Sequence, residues 1–281
     1  MGMADIVPGV SGGTMALITG IYERFIHALS SINFRFITLR IRGDGDGARE
    51  AWRSIDWAML IPLFAGILSA MAIFARVLGY LLDHQAGPTY AFFFGLILAS
   101  AGFVSKYVTE VNWRHVASGV LGFLLVVAVV GLNEVTDNHT LPVLFASGII
   151  AVCAMILPGI SGSLVLLILG QYEHFIDALN KLAWRDLVVF GLGAIVGILA
   201  FSRLLDYMLR NHRAKTMAFL FGCMVGALRL PGEIILDETD PSSIPGVVLV
   251  VAAAAVGFAV VLLLERRSDT IKERLGIEDT D

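Results

Sequence analysis

Charge is scarce in this 281-residue chain. Only 16% of its residues are Asp, Glu, Lys or Arg, 57% are apolar, and mean hydropathy is +0.80. Soluble domains carry about 25% charged residues, so an ordinary water-soluble fold is excluded. A net charge of −4 with no dense basic tract argues against a nucleic-acid partner. Cysteine is nearly absent too: Cys153 and Cys223 both lie inside apolar runs and read as packing residues, not as a disulfide or metal pair. No His/Cys/Asp cluster has metal-ligand spacing, and the spaced Lys, Arg, Ser-Gly-His and His pattern of lipid phosphatases is missing. We therefore expect no metal, no cofactor and no catalytic set, hence no enzyme. The first residues lack a basic region followed by an apolar core and a cleavage site, so no cleavable signal peptide is expected.

What the chain has instead is apolar runs long enough to cross a bilayer, which takes about 17–25 residues per helix. Six are expected, at about 57–82, 89–105, 116–132, 186–209, 216–230 and 245–264. A second feature organises them. Residues 4–29, ADIVPGVSGGTMALITGIYERFIHAL, recur at 154–179 as AMILPGISGSLVLLILGQYEHFIDAL. Pro8, Gly9, Ser11 and Gly12 fall on Pro158, Gly159, Ser161 and Gly162, and Gly20, Tyr22, Glu23 and Phe25 on Gly170, Tyr172, Glu173 and Phe175. The likeness resumes between 74–95 and 201–222, where Arg76 matches Arg203 and Tyr80 matches Tyr207. Such internal duplication is read before anything else.

Three spans per copy is an odd number, so the copies face opposite ways. The expected architecture is an all-α membrane protein of two inverted repeats, 1–135 and 136–281. Each is a re-entrant helical hairpin plus about three spans, the plan of secondary transporters. The first holds the motif at 4–29 and an Arg-rich connector at 30–56, with Arg35, Arg40, Arg42, Arg49 and Arg53 around a Gly-Asp-Gly-Asp-Gly turn signal. The second holds its motif within 140–179. Positive charge favours the cytoplasmic side, which puts the connector and both termini inside; Lys181 and Arg185 are the one mismatch. Calcium binding by Asp44 and Asp46 is the weaker reading of the connector, since no spaced ligand set accompanies them. Only residues 1–3 precede the first motif, whereas LPVLFASGIIAVCAMIL leads into the second; either the start is placed late or the first arm is truncated.

Pro-Gly-x-Ser-Gly does not sit comfortably inside a continuous helix. We expect each motif to turn back near mid-membrane with its tip at Pro8-Gly9 or Pro158-Gly159. Irregular backbone at that depth must be buried in protein or line a wet cavity. The helix that follows would aim free N–H groups, with Ser11, Gly12, Gly13 and Thr14, or Ser161, Gly162 and Ser163, at an anion such as phosphate. A plain kink with Ser bonded back to its own helix is the alternative. Arg76 and Arg203 lie inside spans, where charge is costly. They are candidate phosphate ligands, with snorkelling as the alternative. Glu23 and Glu173 fall nearer the interface as solvated carboxylates, arginine partners or proton carriers. Inversion sets Glu23 level with Arg203 and Glu173 level with Arg76, so cross-repeat pairs are expected. Asp5 is a third candidate for coupling and is unmatched, Met155 taking its place. His27 and His174 read as interface residues.

ADIVPGVSGGTMALITGIYERFI and its shorter copy PGISGSLVLLILGQYEHFI resemble the signature of the polyprenyl-phosphate transporters of the PopT type, long known as domain of unknown function 368. The resemblance spans essentially the whole chain. It implies a bacterial or archaeal plasma-membrane protein that returns undecaprenyl phosphate, or a related polyprenyl phosphate, from the outer to the inner leaflet for cell-envelope glycan synthesis. Membrane lipids are then its surroundings, and coupling to a proton or sodium ion is compatible with the plan. An ion-coupled carrier of a small soluble anion is the alternative, and a membrane enzyme on lipid phosphates a third reading that lacks a nucleophile.

Overall fold

The computed structural model describes residues 1–2, 5, 11–32, 35–108, 112–131 and 138–275, with backbone alone at 35–37, 71, 75 and 265–275. Among these, regular secondary structure is entirely helical. The first motif divides into α1 (Gly12–Ile18) and α2 (Tyr22–Ser31). Ser11 caps α1, its Oγ accepting the Gly13 N–H at 3.1 Å, and Gly20, at φ +69°, ends it in the left-handed conformation that stops helices. Pro8 and Gly9 lie outside the described residues. Upstream, Gly2 rests against the backbone at Ile67, and the Asp5 N–H bonds to the Met1 carbonyl at 3.1 Å.

The connector contains α3 (Arg35–Ile41) and α4 (Gly45–Arg53). Its glycine-aspartate run differs from expectation, because only Gly43 (φ +82°) turns and the rest starts a helix. Asp44 caps α4 by accepting the Gly47 N–H at 2.9 Å, and Asp46 adds negative charge to the first turn. Together these offset the poor helix propensity of glycine. Asp44 thus serves as a helix cap.

The remaining helices are α5 (Trp57–His84), α6 (Ala86–Ser105), α7 (Trp113–Val130), α8 (Leu141–Ile156), α9 (Gly162–Ile168), α10 (Tyr172–Asn180), α11 (Trp184–Asn211), α12 (Arg213–Ala227), α13 (Arg229–Glu238) and α14 (Ile244–Leu275). Among the described residues six stretches are long and apolar enough to cross a membrane: Trp57–Phe74, Ala86–Ser105, Trp113–Val130, Trp184–Asn211, Arg213–Glu238 and Ile244–Leu264. Each overlaps one of the six expected runs, the first ending at Phe74 instead of near 82 and the fifth extending to Glu238, and the chain is a multi-pass membrane protein. One loop is corrected: the acidic stretch from Glu233 continues as α13 to Glu238. Pro231 sits in its first turn, and Arg229 meets Glu233 one turn on at 2.7 Å.

Two pairs of helices correspond in detail. α5 and α11 each have 28 residues, with Arg76 and Arg203 at equivalent positions. Each ends at a residue of the same unusual conformation, Gln85 (φ −143°, ψ 46°) and His212 (φ −141°, ψ 42°). The next helix then starts with a threonine bonded back to that residue, Thr89 to the Gln85 carbonyl at 2.7 Å and Thr216 to that of His212 at 3.0 Å.

Packing then crosses over: α7 lies against α12, and α14 against α6. Gly222 faces the Gly119 backbone, Gly122 faces Phe219, Gly95 faces Ala254 and Gly257 faces Phe92, each so closely that a Cβ would strike the opposite main chain. Small residues allow this approach where lipid supplies no hydrophobic drive between helices. α8 runs along α11 in the same manner, Gly193 against Phe145 and Gly148 against Phe190. The core gathers where α1, α2, α6 and α12 meet, around Tyr22, Ile26, Ile97, Leu220 and Met224. Cys223 is buried there as a free thiol, and Cys153 is free as well.

Candidate functional site

The two motifs meet at the centre of the molecule. Ser11 Oγ donates to the Leu157 carbonyl at 3.1 Å, and Thr14 Oγ1 accepts the Gly159 N–H at 3.2 Å. Tyr22, fully buried, donates its hydroxyl to the Ile156 carbonyl at 3.2 Å. These bonds satisfy backbone groups that the break before α9 would otherwise leave unpaired in a nonpolar interior. Gly159 adopts φ +90°, and a Cβ there would come within 2.8 Å of both the Ala227 Cβ and the Cys223 carbonyl. Only glycine fits that turn without strain.

The two helix starts differ. At α1 the Gly12 N–H is taken by the Asp5 carboxylate at 2.7 Å, and Ser11 caps Gly13. At α9 Ser161 makes no capping bond to its helix; it pairs instead with the Ser163 hydroxyl at 2.7 Å. Ser11 and Thr14 are therefore occupied between the motifs. Ser163 keeps partial exposure, and the Gly162 and Ser163 N–H groups have no acceptor among the described residues.

Around α2 the charged groups form one cluster with the end of α11. Glu23 accepts from Arg213 at 3.0 Å, and Arg203 donates to the Ile32 carbonyl at 2.8 Å. His27 touches Arg210 and lies 3.4 Å from Asp206, which itself pairs with Arg210 at 3.2 Å. Arg24 bonds to Asp56 at 2.8 Å, and that hydrogen bond holds the Asp56 carboxyl below the usual carboxylate range. Glu23 thus meets an arginine from the second half of the chain, but it is Arg213 and not the expected Arg203. Arg203 lies ten residues before Arg213, nearly three helical turns away, and is drawn to the open C-terminal end of α2, where carbonyls lack helical donors.

Around α10 the arrangement is different. Glu173 and Asp177 line a cavity of ≈ 550 Å³ with His139 and His174, whose rings stack 4.3 Å apart. His139 contacts the buried Gln171 side chain at 3.1 Å, and His174 contacts Asp186 at 3.1 Å. Arg76 is exposed on α5 and has no hydrogen bond or ion pair among the described residues, so the expected Glu173–Arg76 pair is not formed. Sequence reasoning missed Arg213, Gln171, His139 and the role of Tyr22. The repetition of Tyr22 at Tyr172 was a visible signal, whereas Gln171 replaces Ile21 and carried none. Among the described residues no group of three or more His, Cys, Asp or Glu is placed to hold a metal.

A family profile described as undecaprenyl phosphate translocase-like matches residues 1–243. The chain is 36% identical over 228 residues to a polyprenyl-phosphate transporter of Vibrio cholerae, covering 81% of this chain and 73% of that one. It is 31% identical over 260 residues to a polyprenyl-phosphate transporter of Staphylococcus aureus, covering 84% and 86%. No solved structure matches it. The doubled motif, the six apolar helices and these similarities agree, and the chain belongs to the undecaprenyl phosphate translocase-like family.

Proposed function

We propose that this protein moves a polyprenyl phosphate such as undecaprenyl phosphate between the leaflets of a bacterial or archaeal plasma membrane, from outer to inner, returning the carrier for envelope glycan synthesis. Its two halves, 1–135 and 136–281, act as inverted repeats. Segments α1–α2 and α8–α10 are the re-entrant hairpins, with the Arg-rich connector and both termini on the cytoplasmic side. The crossed packing of α7 on α12 and α14 on α6, with the matched ends of α5 and α11, supports that reading. By it, Arg203 lies toward the cytoplasm and Arg76 toward the outside.

The observation that carries the substrate is Arg76. It is a full charge on an apolar helix, without a partner among the described residues, on a surface where Ile73, Val77 and Tyr80 are also exposed. Arg76 stands two residues past the apolar stretch Trp57–Phe74 on the same continuous helix. An unpaired charge at the edge of a span marks a pathway, and its apolar neighbours suit a lipid arriving sideways better than a soluble anion in an enclosed cavity. Arg76 and Arg203 take the phosphate at the two faces, and Ser161, Gly162 and Ser163 meet it between them. Glu23, Glu173 and Asp5 serve the exchange of partners, and proton or sodium coupling runs through these carboxylates.

Transport in proteoliposomes tests this. Labelled undecaprenyl phosphate should cross at a rate that depends on the protein, undecaprenol should not, and inorganic phosphate should not compete. Arg76→Gln should lower the rate at least about tenfold, the scale of losing one charge-assisted bond to an anion. Equal transport of the prenol, or full competition by free phosphate, would overturn the assignment.

A further inference from the structure

α5 and α11 are equivalent in sequence and length, yet they are engaged differently. α2 lies antiparallel along the end of α11, with Arg203 at Ile32, Arg210 at His27 and Arg213 at Glu23. The duplication maps α11 onto α5 and α2 onto α10. The equivalent interface would therefore seat α10 along the end of α5, with Arg76 at the Leu182 carbonyl. Among the described residues no comparable packing of α10 on α5 exists; α10 leans on α11 instead. Arg76 stays exposed, and the cavity at Glu173 is lined by His139 and residues between 167 and 177, with α5 contributing none.

We infer that this is a one-sided state, closed where α2 clasps α11 and open between α10 and α5, and that Arg76 is a shared ligand of the open gate: it holds the substrate's phosphate while the gate is open and the Leu182 carbonyl once it closes. The lipid half of that statement rests on the proposed function. The asymmetry of the gate does not.

The chemistry permits the exchange. A guanidinium presents five N–H donors in a fixed fork, which serve phosphate oxygens or a carbonyl equally. Leu182 stands just past the end of α10 in a left-handed conformation, φ +51°, as the chain turns. Its carbonyl accepts the Trp184 N–H at 2.8 Å and keeps a second lone pair. The mapping also explains why the open side is this one. Where the α2 clasp sets Arg210 by His27 and Arg213 by Glu23, the equivalent closed gate would set Asp83 by Asp177 and Ala86 by Glu173. Asp83 brings no cation to Asp177, whose carboxylate keeps its own Lys181 at 2.6 Å, and Glu173 gains none either, so of the three contacts of the α2 clasp only that of Arg76 has a counterpart. The clasp at α11 has three contacts holding it shut.

Cross-linking in membranes tests the gate without any substrate. In a Cys153→Ala, Cys223→Ala background, cysteines replacing Ile32 and Tyr207 should join through a short bifunctional thiol reagent. Those replacing Leu182 and Tyr80 should not, although Tyr80 and Tyr207 are equally exposed, at 61% and 59%. Arg203→Gln should then raise the Leu182–Tyr80 yield about fivefold or more, the low end of ordinary coupling between sites, and adding Arg76→Gln should reverse the rise. Glu23→Gln leaves Arg203 in place, guards against misfolding of the first variant, and should shift the yield in the same direction. Equal cross-linking of both pairs at the outset, or a rise indifferent to Arg76, would overturn the gate. Undecaprenyl phosphate should also slow labelling of the Tyr80 cysteine about fivefold, and not after Arg76→Gln. If that slowing fails while the cross-links behave as expected, the lipid occupant is wrong and the gate stands.

Discussion

Gly20 and Gly159 both hold positive φ, but they cost different amounts to replace. Nothing lies within 4 Å of a Cβ built on Gly20, whereas one on Gly159 meets Ala227 and the Cys223 carbonyl at 2.8 Å. Gly20→Ala should cost only the left-handed backbone term, roughly 1–2 kcal/mol. Gly159→Ala should cost that plus a collision in the core, and thermal unfolding in detergent should show a clearly larger drop in midpoint; equal drops would contradict the packing around Pro158-Gly159. Thr14 belongs to the same contact. Its hydroxyl read in sequence as a phosphate ligand, yet here it accepts the Gly159 N–H, a partner 145 positions away. The motif named the polar residues but could not say that the two copies would satisfy each other.

Among elements, the close helix pairs are set by glycine. Gly222 on α12 faces the backbone of α7, while Gly79 on α5 has open space. Gly222→Leu should force α7 from α12 and lower the yield of monodisperse protein severalfold, and Gly79→Leu should leave it near wild type; size-exclusion profiles compare them. The spans themselves were legible because 17 or more apolar residues admit few alternatives to a crossing helix. The helix α4 and the extension of α13 were not. Each depends on a local capping or ion-pair contact, Asp44 with Gly47 and Arg229 with Glu233, that outweighs the turn-forming residues around it.

For the whole molecule, the proposed inverted arrangement requires a specific sidedness. Cysteines introduced at Gly45 and at Ser242, in a background lacking Cys153 and Cys223, should react with an impermeant thiol reagent from opposite faces, Gly45 from the cytoplasm and Ser242 from outside. Labelling of both from one face would remove the inverted plan, and with it the assignment of Arg76 and Arg203 to opposite levels.

The sequence by itself determined the membrane class, the six spans, the doubled motif and the charges worth watching. Those follow from hydropathy and repetition, which are properties of the chain alone. Only the tertiary structure decided that Glu23 meets Arg213, that Arg203 ends on the Ile32 carbonyl, and that Arg76 has no matching partner among the described residues. An arginine's partner depends on the relative depth and rotation of helices far apart in sequence. A shift of one helical turn moves a side chain by about 5.4 Å, farther than the reach of an ion pair, and the duplication leaves such a shift open. Equivalent residues in the two halves can therefore end in different contacts, because the halves are alike in sequence and unlike in what they pack against.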